Sequence, residues 1–198
     1  MPERMAGADK NKLAYIGRKP GPQRWDSDSW FTPRTYVEMV RSALGGTIGF
    51  DPFSSRTAQK TVQAEKFYTV DDDALKTPWP ACKTVFMNPP YSKGLCALAI
   101  QAFTANFDQK KFTRGIVLVN NATDTTWWAA LTNHDGCIAI CLTHGRICFE
   151  NADGKIVSGN TRGQAFVLFQ TGITQDKSDA RRQFRRYFDN PHVGRVWA

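Results

Sequence analysis

Residues 85–94 read VFMNPPYSKG, so an asparagine, two prolines and a tyrosine stand directly behind a short apolar run. Proline locks its own φ and restricts the residue before it, so Pro89 and Pro90 would hold the polar tip of a strand in one geometry. The Asn88 side-chain carbonyl and the Pro89 main-chain carbonyl are then two fixed hydrogen-bond acceptors, with Tyr91 beside them as a flat face. That set suits an amine with two protons to donate and a planar ring to stack. A plainer alternative is that the prolines merely end a strand over residues 84–87. The elements around the tip decide between these readings.

Positioning such a tip requires a sheet, and the chain alternates strand and helix patterns from Trp25 onward. WFTPRTYVEMVRSALGG predicts a helix with Thr32 as N-cap and Pro33 at the first helical position. Val37, Val40 and Leu44 share one face of it, and Gly45-Gly46 is the stop. TIGFD, a helical stretch over 57–65, and KFYTVD read as strand, helix, strand, with Asp51 and Asp71 closing the strands. Behind the tip, Leu95, Leu98, Ala99, Ala102 and Phe103 recur at helical spacing, and GIVLVN follows as a buried strand. Asp124 is expected to cap a short helix through TTWWAAL. CIAICL, RICFE and QAFVLFQ supply three further strands that lack long crossovers and are expected to be antiparallel. Before the last of them runs NADGKIVSGNTRG, a glycine-rich polar loop that either connects or contacts a ligand. The expected fold class is α/β, a doubly wound sheet that is mostly parallel with antiparallel C-terminal strands. Ligands of such sheets bind beyond the carboxyl ends of the strands, where strand order reverses, and Asp51, Asp71 and Asn88 all fall at strand ends.

The 198 residues suit one domain over 25–198, preceded by a basic arm over 1–24 with almost no apolar periodicity. Lys and Arg number 26 against 18 Asp and Glu, a net charge of +8 that favours a polyanionic partner, nucleic acid first. No run approaches the roughly 18 consecutive apolar residues of a spanning helix, and the first residues lack the apolar core of a signal peptide. The expected compartment is the cytoplasm, without a membrane partner. Five cysteines with no CxxC pair predict reduced thiols. Cys137, Cys141, His144 and Cys148 cluster in sequence, yet the first two sit in an apolar strand, so buried thiols are expected there and no metal site. DARRQFRRYF as a helix sets Arg181, Arg182, Arg185 and Arg186 on one arc and Phe184, Tyr187 and Phe188 on the other. That basic arc serves either solvent or phosphates.

Taken in order, WFTP, DPFS, FYTVDDDAL followed by Trp79, MNPPYS, TDTTWW, and GRICF with GQAFVLF carry a family likeness. Together they resemble the S-adenosylmethionine-dependent amino-methyltransferases, in particular the compact phage-type DNA N6-adenine methyltransferases related to Dam. The resemblance implies a Rossmann-like methyltransferase sheet and transfer of a methyl group from S-adenosylmethionine to a flipped adenine. It also implies double-stranded DNA as partner, a monomer or weak dimer, and a bacterial host's cytoplasm for a phage-encoded enzyme. Asn88, Pro89, Pro90 and Tyr91 match the family's catalytic loop. The implied cofactor contacts are Thr32, Pro33, Asp51, Pro52, Phe53, Asp71, Asp73 and Asn88, with Asp51 on the methionine part and Asp71 or Asp73 on ribose or adenine. Tyr91, Ser92, Lys93, Arg181, Arg182, Arg185 and Arg186 are the implied nucleic-acid contacts. DPFSSRTAQK departs from the usual glycine-rich cofactor loop, having no glycine after Asp51.

An exocyclic amine such as adenine N6 is a poor nucleophile because its lone pair is delocalised into the ring. Two acceptors on its protons favour a pyramidal nitrogen, the task Asn88 and Pro89 are shaped for. Tyr91 then supplies the face on which an extruded base stacks. Cytosine C5 chemistry needs a cysteine nucleophile, typically just after a proline, and no Pro-Cys pair occurs. Cytosine N4, a protein glutamine side chain, and a catalytically inactive DNA-binding relative stay open as alternatives. Trp127 and Trp128 either wall a base pocket or lie in the core, with the core expected for Trp128; Arg146 holds a phosphate or pairs with an acid.

Overall fold

The computed structural model describes residues 30–92, 94–151, 153, 155, 156 and 160–197. Expectations for the arm over 1–24 and for Lys93 lie outside these residues. In chain order the first half comprises α1 (Arg34–Ala43), β1 (Phe50–Asp51), α2 (Gln59–Val62), β2 (Lys66–Phe67), a 3₁₀ turn (Val70–Asp72) and β3 (Thr84–Met87). The second half comprises α3 (Leu95–Asp108), β4 (Arg114–Asn120), α4 (Thr126–Thr132), β5 (Cys137–Thr143), β6 (Gln164–Gln170), α5 (Thr174–Phe188) and β7 (Gly194–Trp197). No described helix is long and apolar enough to cross a membrane.

Helix α1 buries Val37, Val40 and Ala43, and Leu44 is buried just past its end. The Gly45 and Gly46 amides bond back to the Ser42 and Arg41 carbonyls, a glycine-closed C-terminus in which both residues take positive φ (93° and 107°). Its start differs from expectation. Pro33, with ψ at 146°, is the N-cap rather than the first helical residue, and no side chain caps the helix. The Thr32 hydroxyl therefore does not serve the helix and is available elsewhere.

The strands form one sheet in the order β2-β1-β3-β4-β6-β5-β7. Pairings β1–β2, β1–β3 and β3–β4 are parallel, whereas β4–β6, β5–β6 and β5–β7 are antiparallel. The parallel character expected for most of the sheet is thus confined to its first half, because β6 inserts between β4 and β5. From β1 the chain steps outward to β2 and then returns to the other side of β1 as β3, so strand order reverses between β1 and β3.

Alternating side chains split the core into two layers. Phe86, Ile116, Leu118, Phe166 and Leu168 pack with α1 and α5 on one face, while Val85, Met87, Val117, Val119 and Val167 pack with α3 and α4 on the other. In β5 the register shifts between Cys137 and Ala139. This bulge sends Cys137 and Cys141 to opposite layers despite their even spacing. Burial pushes their thiols up to about 11 and about 12 respectively.

Three local expectations are corrected, and one strand is additional. RICFE is not a ladder strand: the Ile147 amide and carbonyl bond to the side chains of Gln164 and Asn160, and only Glu150 makes bridges, to Phe31 and Ile156. Thr125, not Asp124, caps α4, accepting from the Trp128 amide at 3.3 Å. Leu98 lies on the exposed side of α3, where Cys96 and Ile100 take the buried stripe instead. Strand β7 was not expected, since its four residues are too few for a visible alternation, yet Val196 is buried between exposed Arg195 and Trp197.

Helix α5 docks through Ala180, Phe184 and Phe188, with the last two rings 4.4 Å apart and stacked. Replacing a buried Phe by Ala typically costs about 3–5 kcal/mol. Urea unfolding of Phe184→Ala should show a loss of that size, against ~0.5 kcal/mol or less for exposed Arg185→Ala.

Candidate active site

Parallel pairing of Phe50 with Val85 places the ends of β1 and β3 side by side at the point where strand order reverses. Asp51 ends β1, and Asn88 follows directly on β3 with buried Pro89 and Pro90 behind it. The Asn88 amide nitrogen donates to the Thr32 Oγ1 at 3.2 Å. Its carbonyl Oδ1 is buried and has no partner, an arrangement that costs about 1–3 kcal/mol for an unsatisfied polar group. Thr32 is itself only 5% exposed. It is held there by its neighbours, since Phe31 exchanges both main-chain hydrogen bonds with Glu150, at 2.8 and 3.0 Å.

Asp51 is 4% exposed, and burial pushes its carboxyl up to about 7. Hydrogen bonds from Ser54, the Phe53 main chain and Gln59 pull the other way without cancelling that effect. Gln59, which the motifs did not single out, donates to Asp51 Oδ2 at 2.9 Å and to Ser54 Oγ at 2.7 Å, while its Oε1 accepts from the Ala64 amide at 2.8 Å. Its only signal in sequence is a long polar side chain on a helix directly after the strand tip. Pro52 is buried, and Phe53 meets Trp79 edge-on at 6.4 Å.

The acidic run after β2 is divided by geometry. Asp72 caps the 3₁₀ turn, accepting from the Thr69 amide at 2.7 Å and hydroxyl at 2.9 Å, which holds its carboxyl below the usual range. Asp73 takes a left-handed conformation (φ 48°) and pairs with Lys76 at 2.7 Å. Asp71 is exposed and sits in the turn rather than at the strand end, because β2 stops at Phe67.

Tyr91 and Ser92, which follow Asn88, line a cavity of about 400 Å³, within the range of small-molecule sites, whose walls include neither Asp51 nor Asn88. Its walls include Trp30, Tyr91, Trp127, Phe149, Asn120 and Arg162. Tyr91 is anchored by its hydroxyl, which donates to the Leu118 carbonyl of β4 at 3.1 Å, so the ring is held rather than free to swing. Trp127 faces the cavity and Trp128 is buried in the core. Ser92 and Gly94 line the mouth of α3. Behind the wall, fully buried Gln164 bonds the Arg162 carbonyl, Asn160 Oδ1, Asn120 Oδ1 and the Ile147 amide, tying the polar loop to the end of β4.

This geometry, two polar strand tips beside an aromatic cavity, accompanies a match of residues 22–184 to the family model "DNA N-6-adenine-methyltransferase (Dam)". The chain belongs to that family. A DNA N-6-adenine-methyltransferase of Escherichia phage T1 is 24% identical over an alignment of 159 residues that covers 72% of this chain. The match spans 63% of the phage T1 protein, less than two thirds of its length.

The family match ends within α5, whose four arginines are not equivalent. Arg181 Nε donates to the Ile138 carbonyl at 2.8 Å, so it braces the helix against β5 and does not belong to a free basic arc. Arg182 pairs with Asp179. Arg185 and Arg186 are exposed, and Arg186 sits 5.8 Å over the Tyr187 ring. Arg146 is exposed as well. Among the described residues no group of three or more His, Cys, Asp or Glu could hold a metal ion.

Asp51 makes this family member's stability pH-dependent. A folded-state value above the ordinary 3.8 means that the carboxyl favours folding fully below about pH 4 and loses that contribution as pH rises through about 7. Unfolding of the wild type should therefore show stability declining between about pH 5 and pH 7, by up to ~1.4 kcal/mol per pH unit from this group. Asp51→Asn should remove that slope; parallel slopes in the two proteins would contradict the assignment.

Proposed function

We propose that this chain is an S-adenosylmethionine-dependent DNA adenine N6-methyltransferase with a Rossmann-like sheet, acting on a base turned out of double-stranded DNA. The observation that carries the reading is the buried, unpartnered Asn88 Oδ1 on a proline-stiffened strand tip. An acceptor held in that state is a ready partner for an amine proton. The Pro89 carbonyl accepts a hydrogen bond from the second proton, and together the two acceptors raise electron density on the nitrogen. Tyr91 and Trp127 supply ring faces in the cavity for the extruded base, each stacked base being worth about 1–3 kcal/mol.

Asp51 fits the cofactor's charged amino group. A carboxylate that burial alone holds near neutrality regains its charge when a cation sits against it. Pro52 and Phe53 continue the pocket wall. Asp71 and Asp73 remain for ribose and adenine, because Asp72 serves the turn. S-adenosylmethionine, when bound, supplies a sulfonium-activated methyl group whose leaving group needs no acid. That suits a site whose central group is an amide rather than a proton donor. Transfer forms a carbon–nitrogen bond at N6, breaks the sulfur–carbon bond and releases one amine proton to water.

Incubation with S-adenosylmethionine and unmethylated DNA, followed by nucleoside mass spectrometry, should yield N6-methyladenine. N4-methylcytosine, or no modified base, would overturn the reading. Asn88→Ala should lower kcat by about 10²–10³ while S-adenosylmethionine binding by calorimetry is retained; activity within twofold of wild type would remove Asn88 from the mechanism.

Arg185 and Arg186 are the phosphate contacts on α5: both are exposed, while exposed Arg182 pairs with Asp179 and Arg181 bonds to β5. Each contact neutralising a phosphate lowers the logarithm of affinity by about 0.9 per unit of log salt. Replacing both with Gln should flatten the slope by nearly two units without altering cofactor affinity. An unchanged slope would assign this face to solvent.

A further inference from the structure

We propose that Asn120 reads the extruded base: its side-chain NH₂ group donates to a ring nitrogen next to the amine that is methylated. This deepens the methyltransferase reading and rests on it. Adenine carries two such nitrogens, N1 and N7, one on each side of the carbon that bears N6, and both are acceptors. Asn88 and Pro89 answer the amine only, so a separate donor has to answer the ring beside it. Asn120 ends β4, which pairs in parallel with β3 through Met87 and Val117, so it leaves the sheet by the same edge as Asn88. Alternation puts it on the layer of Ile116 and Leu118, and the same alternation carried one residue beyond β3 puts Asn88 on the layer of Phe86. The two amides thus share one face of neighbouring strands, with Asn120 two ladder positions, ~7 Å, further out. Asn120 lines the cavity together with Tyr91, whose hydroxyl is tied to the Leu118 carbonyl of the same strand.

Which end of the Asn120 amide meets a ligand is fixed by main-chain groups, through Gln164. The Gln164 oxygen accepts from the Ile147 main-chain amide at 2.9 Å, and its nitrogen donates to the Arg162 main-chain carbonyl at 2.8 Å. A main-chain N–H cannot accept and a carbonyl cannot donate, so Gln164 has a single orientation. Its nitrogen turns the remaining proton toward Asn160 Oδ1 and Asn120 Oδ1, both at 3.3 Å. Asn160 is fixed in the same manner, its oxygen accepting from the Arg162 amide and its nitrogen donating to the Ile147 carbonyl. Asn120 therefore gives its oxygen to the buried network and offers its NH₂ group to the cavity it lines. Turned over, it would set NH₂ against NH₂ at a residue that is fully buried, where water cannot relieve the mismatch.

The test uses a DNA duplex built around a genomic position that the wild type methylates. Its target adenine is left intact or replaced by 1-deazaadenine or 7-deazaadenine, in which a C–H stands where N1 or N7 was. Wild type should lose about 3- to 10-fold in kcat/KM on one of the two analogues, the size of one neutral hydrogen bond. Asn120→Ala should lose a similar factor on adenine and nothing further on that analogue; effects of the analogue on pairing and stacking are common to both enzymes and cancel in the comparison. Asn120→Asp keeps an acceptor for Gln164 and turns a carboxylate oxygen to the base. At about pH 8, where that group is ionised, it should prefer the same analogue to adenine, a reversal that a purely structural residue would not produce. Calorimetric affinity for S-adenosylmethionine should stay within about twofold in both variants, as expected when only the contact with the base is touched.

Equal analogue penalties in wild type and Asn120→Ala, an Asn120→Ala as fast as wild type on adenine, or an Asn120→Asp that still favours adenine would each overturn the role of Asn120. A wild type that transfers no methyl group to DNA overturns the methyltransferase reading and this role together. An active wild type whose preference among the three bases is unchanged by the Asn120 substitutions overturns this role alone.

Discussion

Everything at the site depends on the parallel pairing of two very short strand ends. Parallel neighbours finish on the same side of a sheet, and Phe50 opposite Val85 brings Asp51 and Asn88 to that side together. β1 has only two residues, too few for its ladder to set the register firmly. Buried Thr84 supplements it: its hydroxyl accepts from the Gly49 amide at 2.9 Å and donates to the Thr47 carbonyl at 3.0 Å, so the backbone leading into β1 is stitched to the base of β3. Gly49 suits that approach, since a Cβ there would come within 2.9 Å of the Thr84 carbonyl oxygen.

Around those tips the fold leaves polar groups in places where burial works against them. The Asp51 carboxylate is desolvated, and the Asn88 carbonyl is buried unpaired. Both arrangements cost stability, and both are held by well-packed neighbours: aromatic contacts of Phe50 and Phe53 with Trp79 on one side, and the Phe31–Glu150 bridge on the other. Where burial serves structure alone, as at Gln164, the polar atoms are fully bonded.

Legibility from sequence followed the range of the forces involved. The helix over α1, the glycine stop behind it, the apolar run of β4, and Asp51 and Asn88 as strand-end polar residues all read correctly, because each depends on neighbours within a few positions. Trp128 lies in the core as helical geometry suggested, while Trp127, open in sequence between pocket and core, lines the cavity. The strand expected at RICFE failed because its polar main-chain groups are taken by Gln164 and Asn160, side chains more than ten residues away. The bond from Arg181 to the Ile138 carbonyl was not legible either, because that partner belongs to another element.

The sequence by itself determined that an amide and two prolines stand behind an apolar strand, a stiff main-chain tip that carries two candidate acceptors. Only the tertiary structure decided which way that amide faces, that Asp51 is buried deeply enough to hold its proton near neutrality, and that Gln59 and Thr32 attend the two groups. The reason is physical. Propensity, stiffness and periodicity are carried by adjacent residues, whereas desolvation and hydrogen-bond partnership belong to whatever distant segments the sheet packs together.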